Sequence, residues 1–190
     1  MHAFVKMKSA NQLLTQYAAY HRDRRNIATH FIGVPIIVFS VVLALAQVVI
    51  GPVHLGWIGI LVATIYYVWL DRILGFLMFG FLVLCGAIAS LVSFKTGWAA
   101  GLGIALGLFV LGWAIQFLGH KYEGMKPAFV DDIVGLLVGP LFVLVEILFL
   151  LGLRSDLKSY IEARVGPTMA KRDGRPLNLE TTTTSSMQGA

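Results

Sequence analysis

The chain has 190 residues and a formal net charge of +5; 57% of its residues are hydrophobic and only 13% are charged. This composition excludes an ordinary water-soluble globular domain, in which about a quarter of the residues are charged. It also argues against a nucleic-acid-binding protein, because the basic residues flank apolar runs, and it predicts an integral membrane protein.

An amphipathic segment at residues 3–21 opens the chain. Met7, Leu14 and His21 recur at helical spacing, so they lie on one apolar stripe. This pattern predicts an interfacial helix that lies along the membrane surface. The stripe directs His21 towards the membrane or the helical bundle. A polar turn at residues 22–26 separates this segment from the first apolar run.

Five apolar runs follow, and four of them reach the length of about 20 residues that a spanning helix needs. The second run is shorter, and its ability to span is marginal. The Gly139-Pro140 pair inside the last run predicts a kink or break. Glycines at helical spacing in the fourth run predict close helix packing; they are Gly97, Gly101, Gly103 and Gly107. The five runs are residues 31–50, 55–70, 73–94, 97–119 and 133–153.

We therefore predict an all-α fold, an integral membrane bundle of four to five membrane helices that forms one domain over residues 1–165. The tail at residues 166–190 is rich in Thr, Ser and Pro and is predicted to be disordered. Lys and Arg number five before residue 31, six from Arg154 onward and four in between. This distribution predicts that both termini are cytoplasmic, which requires an even number of crossings. Either run 55–70 does not span, or run 133–153 is re-entrant.

Three of the five histidines, His21, His30 and His120, lie at or near the ends of apolar runs. An imidazole there costs free energy unless it has a partner, and three that meet would suit a metal ion. His21 and His30 are nine residues apart, about 900° of helix rotation, so they meet only if the chain breaks near residues 23–26. Four crossings must then separate His30 from His120. The alternative makes His21 an interfacial anchor and His30 a helix-end residue.

Polar side chains accompany two of these histidines at helical spacing. Asn26 precedes His30 by one turn, and Gln116 precedes His120 by one turn, so each pair shares a helix face. Glu123 follows His120 three residues later, an arrangement that recurs in helical iron proteins. The alternative for Glu123 is an ion pair with a neighbouring lysine.

Further carboxylates lie in or just before the last apolar run, at Asp131, Asp132 and Glu146. An ionisable residue inside an apolar run is a functional candidate by default, and this describes Glu146. A salt bridge or hydrogen bond to a neighbouring helix is the structural alternative. Imidazoles with one carboxylate suit Fe(II), Zn or Mn, and the residue types alone leave the choice of metal open.

Taken in order, these motifs resemble the fungal and bacterial family of 2-hydroxy fatty acid dioxygenases, over residues 9–157. The motifs that carry the resemblance are Tyr20-His21, Asn26, His30, Gly33-Val34-Pro35, Gln116-Phe117-Leu118-Gly119-His120, Glu123, Pro127-Ala128, Asp131, Pro140 and Glu146. The resemblance implies a non-haem, Fe²⁺-dependent membrane enzyme. Such an enzyme uses O₂ to shorten a 2-hydroxy fatty acid by one carbon and releases CO₂.

The resemblance also implies roles for individual residues. The implied iron ligands and catalytic residues are His21, His30 and His120. Three carboxylates are implied as further ligands or as groups that orient the imidazoles: Glu123, Asp131 and Glu146. Two polar residues are implied as supporting groups: Asn26 and Gln116.

The implied partners are the fatty acid, O₂ and the lipid bilayer, with no nucleic acid. The implied location is a bacterial inner membrane or, in a eukaryote, the endoplasmic reticulum. Two other interpretations stay open, a non-enzymatic membrane scaffold or small transporter, and a haem protein with two histidine ligands. A transporter is expected to line its mid-membrane helices with charged residues, and only Glu146 is clearly inside an apolar run.

Overall fold

The computed structural model describes residues 8–130 and 133–171. This part of the chain is almost entirely helical, which confirms the all-α prediction. Its helices are α1 (Ala10–Ala18), α2 (Arg24–Ala46), α3 (Leu55–Leu70), α4 (Arg72–Glu123), α5 (Gly135–Leu150) and α6 (Ser155–Val165). A short antiparallel hairpin of β1 (Val49–Ile50) and β2 (Val53–His54) joins α2 to α3, and a 3₁₀ turn covers Ala128–Val130.

The N-terminal helix is short and sharply bounded. Ser9 and Gln12 form a capping box that starts α1, because each side chain bonds the backbone N–H of the other. Helix α1 ends at Ala18, and α2 begins only after Asp23, whose side chain caps its first turn. The chain therefore breaks at residues 19–23. This break lies slightly before the predicted one, and Asn26 is already helical.

Helix α4 changes direction at Gly97, whose φ of 72° and ψ of 175° are not helical. Only glycine adopts this backbone conformation without strain. The half of α4 before Gly97 runs antiparallel to α3, because Gly75 packs against Val68 near the end of α3 and Gly86 packs against Trp57 near its start. The break turns one long apolar helix into two segments.

The second half of α4 runs antiparallel to α2. Gly101 packs against Gln47 just after α2 ends, and Gly119 packs against Asn26 in its first turn. The predicted close packing of the four glycines is therefore wrong for three of them. Gly97 forms the break, and a Cβ at Gly103 or Gly107 would meet nothing within 4 Å.

Among the described helices, α2 and α4 are long and apolar enough to cross a membrane. The bent pair of α5 and α6 adds a third candidate if the two form one span, and α3, with 16 residues, is shorter. The surface of the bundle exposes large apolar side chains, among them Phe94 at 88%, which suits a lipid environment. The expected four to five membrane helices are not confirmed by length and composition, and the number of crossings stays a prediction.

The last helices cover the end of the bundle where α1 meets α2. Helix α5 continues through Pro140, so the break predicted there is absent; the chain bends instead by 113° between α5 and α6. Both helices contact α1. Beyond α6, Met169 exchanges backbone hydrogen bonds with Arg22 and Arg24. The predicted tail beyond Lys171 lies outside the described residues.

Candidate metal centre

Three buried histidines meet at this end of the bundle. His21 lies in the turn between α1 and α2, His30 in the second turn of α2, and His120 in the last turn of α4. One ring nitrogen from each lies within 4.8 Å of the other two. His21 and His30 meet because the chain breaks between their helices. His30 and His120 meet because the second half of α4 returns alongside α2.

The hydrogen bonds of His21 and His30 show how well these rings suit a cation. Nδ1 of His21 donates to the carbonyl of Tyr17 at 2.7 Å, and Nδ1 of His30 donates to the carbonyl of Asn26 at 2.9 Å. A carbonyl only accepts, so each neutral ring carries its hydrogen on Nδ1 and an unshared electron pair on Nε2. The two Nε2 atoms nevertheless lie 3.0 Å apart.

Two lone pairs at that distance repel each other unless a cation lies beside them. A separation of 3.0 Å is what two metal–nitrogen bonds of about 2.1 Å at a right angle require. Nδ1 of His120 is buried and has no hydrogen-bond partner among the described residues. The donor set of the three histidines therefore fits a divalent metal ion bound by neutral imidazoles.

The surroundings keep the ring of His21 neutral and fix its orientation. Tyr17 stacks on it with ring centroids 4.1 Å apart and an angle of 4° between the planes. Burial lowers the pKa of His21 well below its usual value, and the nearby rings of His30 and His120 lower it further. A neutral imidazole is the form that binds a metal. Tyr17 is a site residue that the motifs in the sequence do not single out, although its position one turn before His21 is the available signal.

Glu123 is fully buried at the end of α4 and holds the turn that carries His21. One carboxylate oxygen accepts the backbone N–H of Arg22 at 2.9 Å. The other accepts the backbone N–H of Asp23 and the side-chain amide of Asn26, each at 2.9 Å. Both oxygens are thus engaged by N–H donors on the segment that runs from His21 into α2. This geometry suits a residue that positions the histidines. Glu123 is not one of the three residues whose ligand atoms lie within 4.8 Å of one another.

Asn26 links three parts of the site. Its backbone carbonyl orients His30, and its side-chain nitrogen binds Glu123. Its Oδ1 is buried without a hydrogen-bond partner among the described residues. Gly119 lets α4 approach this side chain closely, because a Cβ there would lie 2.5 Å from Asn26 Oδ1 and would overlap the hydroxyl of Thr29.

Glu146 does not join the histidines. It forms an ion pair with Arg22 at 3.6 Å between Nη2 and Oε1. The guanidinium of Arg22 is only 2% exposed and also donates to the backbone carbonyls of Ala18 and His21. Glu146 therefore forms a salt bridge, which is the structural role that the sequence left open for it. The motifs in the sequence give Arg22 no role, although its position next to His21 is a usable signal.

The remaining predicted positions divide into one inside the site and two that the structure does not describe. Gln116 lies one turn before His120 and lines a cavity of about 70 Å³ together with Tyr17, His30 and His120. Asp131 and Asp132 lie outside the described residues. A ligand role for Asp131 stays a prediction.

Comparison with known proteins agrees with this arrangement. Residues 7–151 match the profile of the family described as "2-hydroxy-palmitic acid dioxygenase Mpo1-like". The chain is similar to the 2-hydroxy-palmitic acid dioxygenase MPO1 of Saccharomyces cerevisiae (strain ATCC 204508 / S288c). The two are 34% identical over 154 residues, which cover 77% of this chain and 83% of the yeast protein. No solved structure shows significant similarity to the chain. The match covers most of both proteins, and the chain belongs to the Mpo1-like family of 2-hydroxy-palmitic acid dioxygenases.

Proposed function

We propose that this protein is a non-haem, Fe²⁺-dependent membrane dioxygenase that shortens 2-hydroxy fatty acids by one carbon and releases CO₂. The observation that carries the proposal is the group of three buried histidines, with ligand atoms within 4.8 Å of one another. The yeast relative bears the name of a 2-hydroxy-palmitic acid dioxygenase. A chain that shares its family and holds a preformed set of metal ligands is expected to share its chemistry.

The reaction balances with O₂ as the only co-substrate. The bond between C1 and C2 of the 2-hydroxy acid breaks, and C1 leaves as CO₂. C2 becomes the carboxyl carbon of the shortened acid. The substrate gives up four electrons, which reduce O₂, and one water molecule forms. No further reductant is needed.

The chain's own residues would hold and orient the reacting groups. His21, His30 and His120 would bind Fe²⁺, which supplies the capacity to activate O₂ when bound. The backbone carbonyls of Tyr17 and Asn26 hold two of the rings with their Nε2 electron pairs directed inward. Such partners raise the basicity of the ligands and fix their orientation.

The spacing of the histidines favours a single ion over haem. The Nε2 atoms of His21 and His30 face each other at 3.0 Å. Two nitrogens that bind one iron from opposite sides of a porphyrin would lie about 4 Å apart, which is twice a metal–nitrogen bond of about 2 Å.

The site lies where an amphiphilic substrate would present its head group. The turn at residues 19–23 and the end of α4 form one end of an apolar bundle. We propose that this end lies at the membrane surface, with both termini on the cytoplasmic side. The membrane would be a bacterial inner membrane or the endoplasmic reticulum.

The test is anaerobic purification with metal analysis, followed by measurement of CO₂ release from 2-hydroxypalmitate with and without added Fe²⁺. We expect close to one iron per chain and activity that depends on it. The variants His21→Ala, His30→Ala and His120→Ala should each lose both. His54→Ala is the matched control, because His54 bonds Ser90 at the opposite end of the bundle. Full activity in all three site variants, or a haem absorption band in active protein, would refute the proposal.

A further inference from the structure

The side chain of Gln116 is buried beside the histidines with nothing to bind. It is only 4% exposed, and neither its Oε1 nor its Nε2 has a hydrogen-bond partner among the described residues. Leaving both ends of a buried amide unpaired costs free energy, so such a group usually marks a place that a ligand or water occupies. Gln116 lines the same cavity as His30 and His120.

The fold makes room for this amide at a fixed place. Gly33 on α2 lies directly against it, and any Cβ at position 33 would overlap the amide of Gln116. The amide is therefore held at the wall of the cavity by the close approach of α2 and α4. His30 lies on α2 and His120 on α4, so the same two helices position the amide and the metal ligands.

A second, larger cavity lies next to the first, further into the bundle. It measures about 330 Å³, and its lining is almost wholly apolar, from α2, α3, α4 and α5. The two cavities share side chains, namely Ile37, Val38, Trp113, Leu136 and Pro140. The two cavities are therefore neighbours, with His30, His120 and the amide of Gln116 at one end and apolar side chains along the rest.

The combined length of the two cavities matches an acyl chain. Along α2 the lining runs down one helical face from His30 through Val34, Val38 and Val41 to Leu45. His30 and Leu45 are fifteen residues apart, which is about 22 Å at the rise of an α-helix. An extended chain of sixteen carbons spans about 19 Å, since each carbon–carbon bond advances it by about 1.25 Å.

We propose that Gln116 binds the 2-hydroxycarboxylate head group of the fatty acid, and that the apolar cavity down to Leu45 and Gly59 holds its acyl chain. The proposal rests on the proposed function and specifies how the substrate is recognised. A 2-hydroxy acid offers a hydroxyl donor and a carboxylate acceptor, and the amide of Gln116 offers the complementary acceptor and donor. A fatty acid without the hydroxyl leaves the amide oxygen unpaired, and sites built to bind a hydroxyl reject such analogues strongly.

The head-group test measures equilibrium binding of radiolabelled 2-hydroxypalmitate and palmitate to the metal-free protein in detergent. Without metal, discrimination between the two acids reports on the protein groups alone. We expect a preference of about tenfold or more for the hydroxylated acid, because palmitate leaves the buried amide oxygen of Gln116 unpaired. Gln116→Met keeps the length of the side chain, removes both polar atoms and should abolish the preference.

The matched control is Gln47→Met, because Gln47 is also buried between helices but bonds Ser93 and the carbonyl of Leu43. It should retain the preference. Should Gln116→Met fail to fold, Gln116→Glu keeps the shape and should weaken 2-hydroxypalmitate at least tenfold by charge repulsion. A folded Gln116 variant with the wild-type preference, or wild type that binds neither acid, overturns the proposal. Wild type that binds with preference but releases no CO₂ refutes the proposed function alone.

The acyl-chain test fills the deep end of the cavity. Gly59 on α3 lines it, and a Cβ there would meet only the flexible end of Leu45, at 3.2 Å. Gly59→Leu should weaken binding of 2-hydroxypalmitate about tenfold and leave 2-hydroxydecanoate within about twofold. Gly80→Leu is the control, since Gly80 on α4 is exposed and has open space around it. Equal effects of Gly59→Leu on the two chain lengths would refute the assignment of this cavity.

Discussion

Replacing Glu123 with glutamine tests whether this carboxylate positions the proposed metal ligands. In the wild type it accepts three N–H bonds at 2.9 Å from Arg22, Asp23 and Asn26. The amide of glutamine keeps one acceptor oxygen and turns an N–H group towards the donors that faced the other. At least one charge-assisted bond is lost and a buried donor is left unpaired, which together cost about 3 kcal/mol.

The expected result is a weaker metal site with unchanged ligands. The lost bonds loosen the turn that carries His21, and loss of such supporting bonds behind metal-ligating histidines lowers metal affinity about 10- to 100-fold. Affinity can be measured by competition with a chelator, and the ligand set by the visible spectrum of the Co²⁺-loaded protein. At saturating Co²⁺ the spectrum of Glu123→Gln should match that of the wild type.

The matched control is Asp156→Asn, a carboxyl-to-amide change at a side chain that is 80% exposed on α6. It should bind metal as the wild type does. Wild-type metal affinity in Glu123→Gln would refute the positioning role. A changed Co²⁺ spectrum at saturation would show instead that Glu123 is itself a ligand.

Three further predictions concern the packing, the ion pair and the pH dependence of this end of the bundle. Gly119→Ala inserts a methyl group against Asn26 and should lower stability by about 1–3 kcal/mol in thermal unfolding. The control Gly107→Ala, in open space, should be neutral or stabilising. Equal stabilities of the two variants would contradict the close approach of α4 to α2. Glu146→Gln removes the ion pair that neutralises the buried guanidinium of Arg22 and should lower the free energy of unfolding in denaturant by about 2 kcal/mol. An unchanged denaturation midpoint would show that the pair contributes nothing to stability. Burial lowers the pKa of His21 in the folded protein, so the unfolded chain binds one more proton at this residue below its ordinary pKa of about 6.5. The contribution of His21 to metal-free stability, measured as the difference between wild type and His21→Ala, should be constant above that pH and fall by up to about 1.4 kcal/mol per pH unit below it. A difference that stays flat down to about pH 5 would contradict the burial of a neutral ring.

The sequence predicts the convergence of the histidines only conditionally. Helical spacing places His21 and His30 on opposite faces, and the polar residues after His21 indicate where a break can occur. The structure places that break at residues 19–23, which satisfies the condition. Spacing alone cannot say that His120 returns to the same place, because that depends on how the apolar runs pack against one another.

The roles of Glu123 and Gly97 show why the rest could not be predicted. The offset of three residues places Glu123 on the face of His120, which suits a ligand as well as a supporting group. Its role follows from backbone donors about a hundred residues earlier in the chain, and no local pattern reveals them. Gly97 belongs to a series of glycines at helical spacing, and its φ of 72° follows from the reversal of direction that the two halves of α4 require.

The electrostatics of the site connect the proposed metal ligands to the proposed substrate. Three neutral imidazoles leave the double positive charge of a bound Fe²⁺ uncompensated, and Glu123 already directs both oxygens to N–H donors. The carboxylate of a 2-hydroxy acid would supply the missing negative charge from outside the protein. Metal and substrate are then expected to bind cooperatively, because each reduces the cost of burying the other's charge. The amide of Gln116 adds selectivity for the hydroxyl that the charge alone does not give.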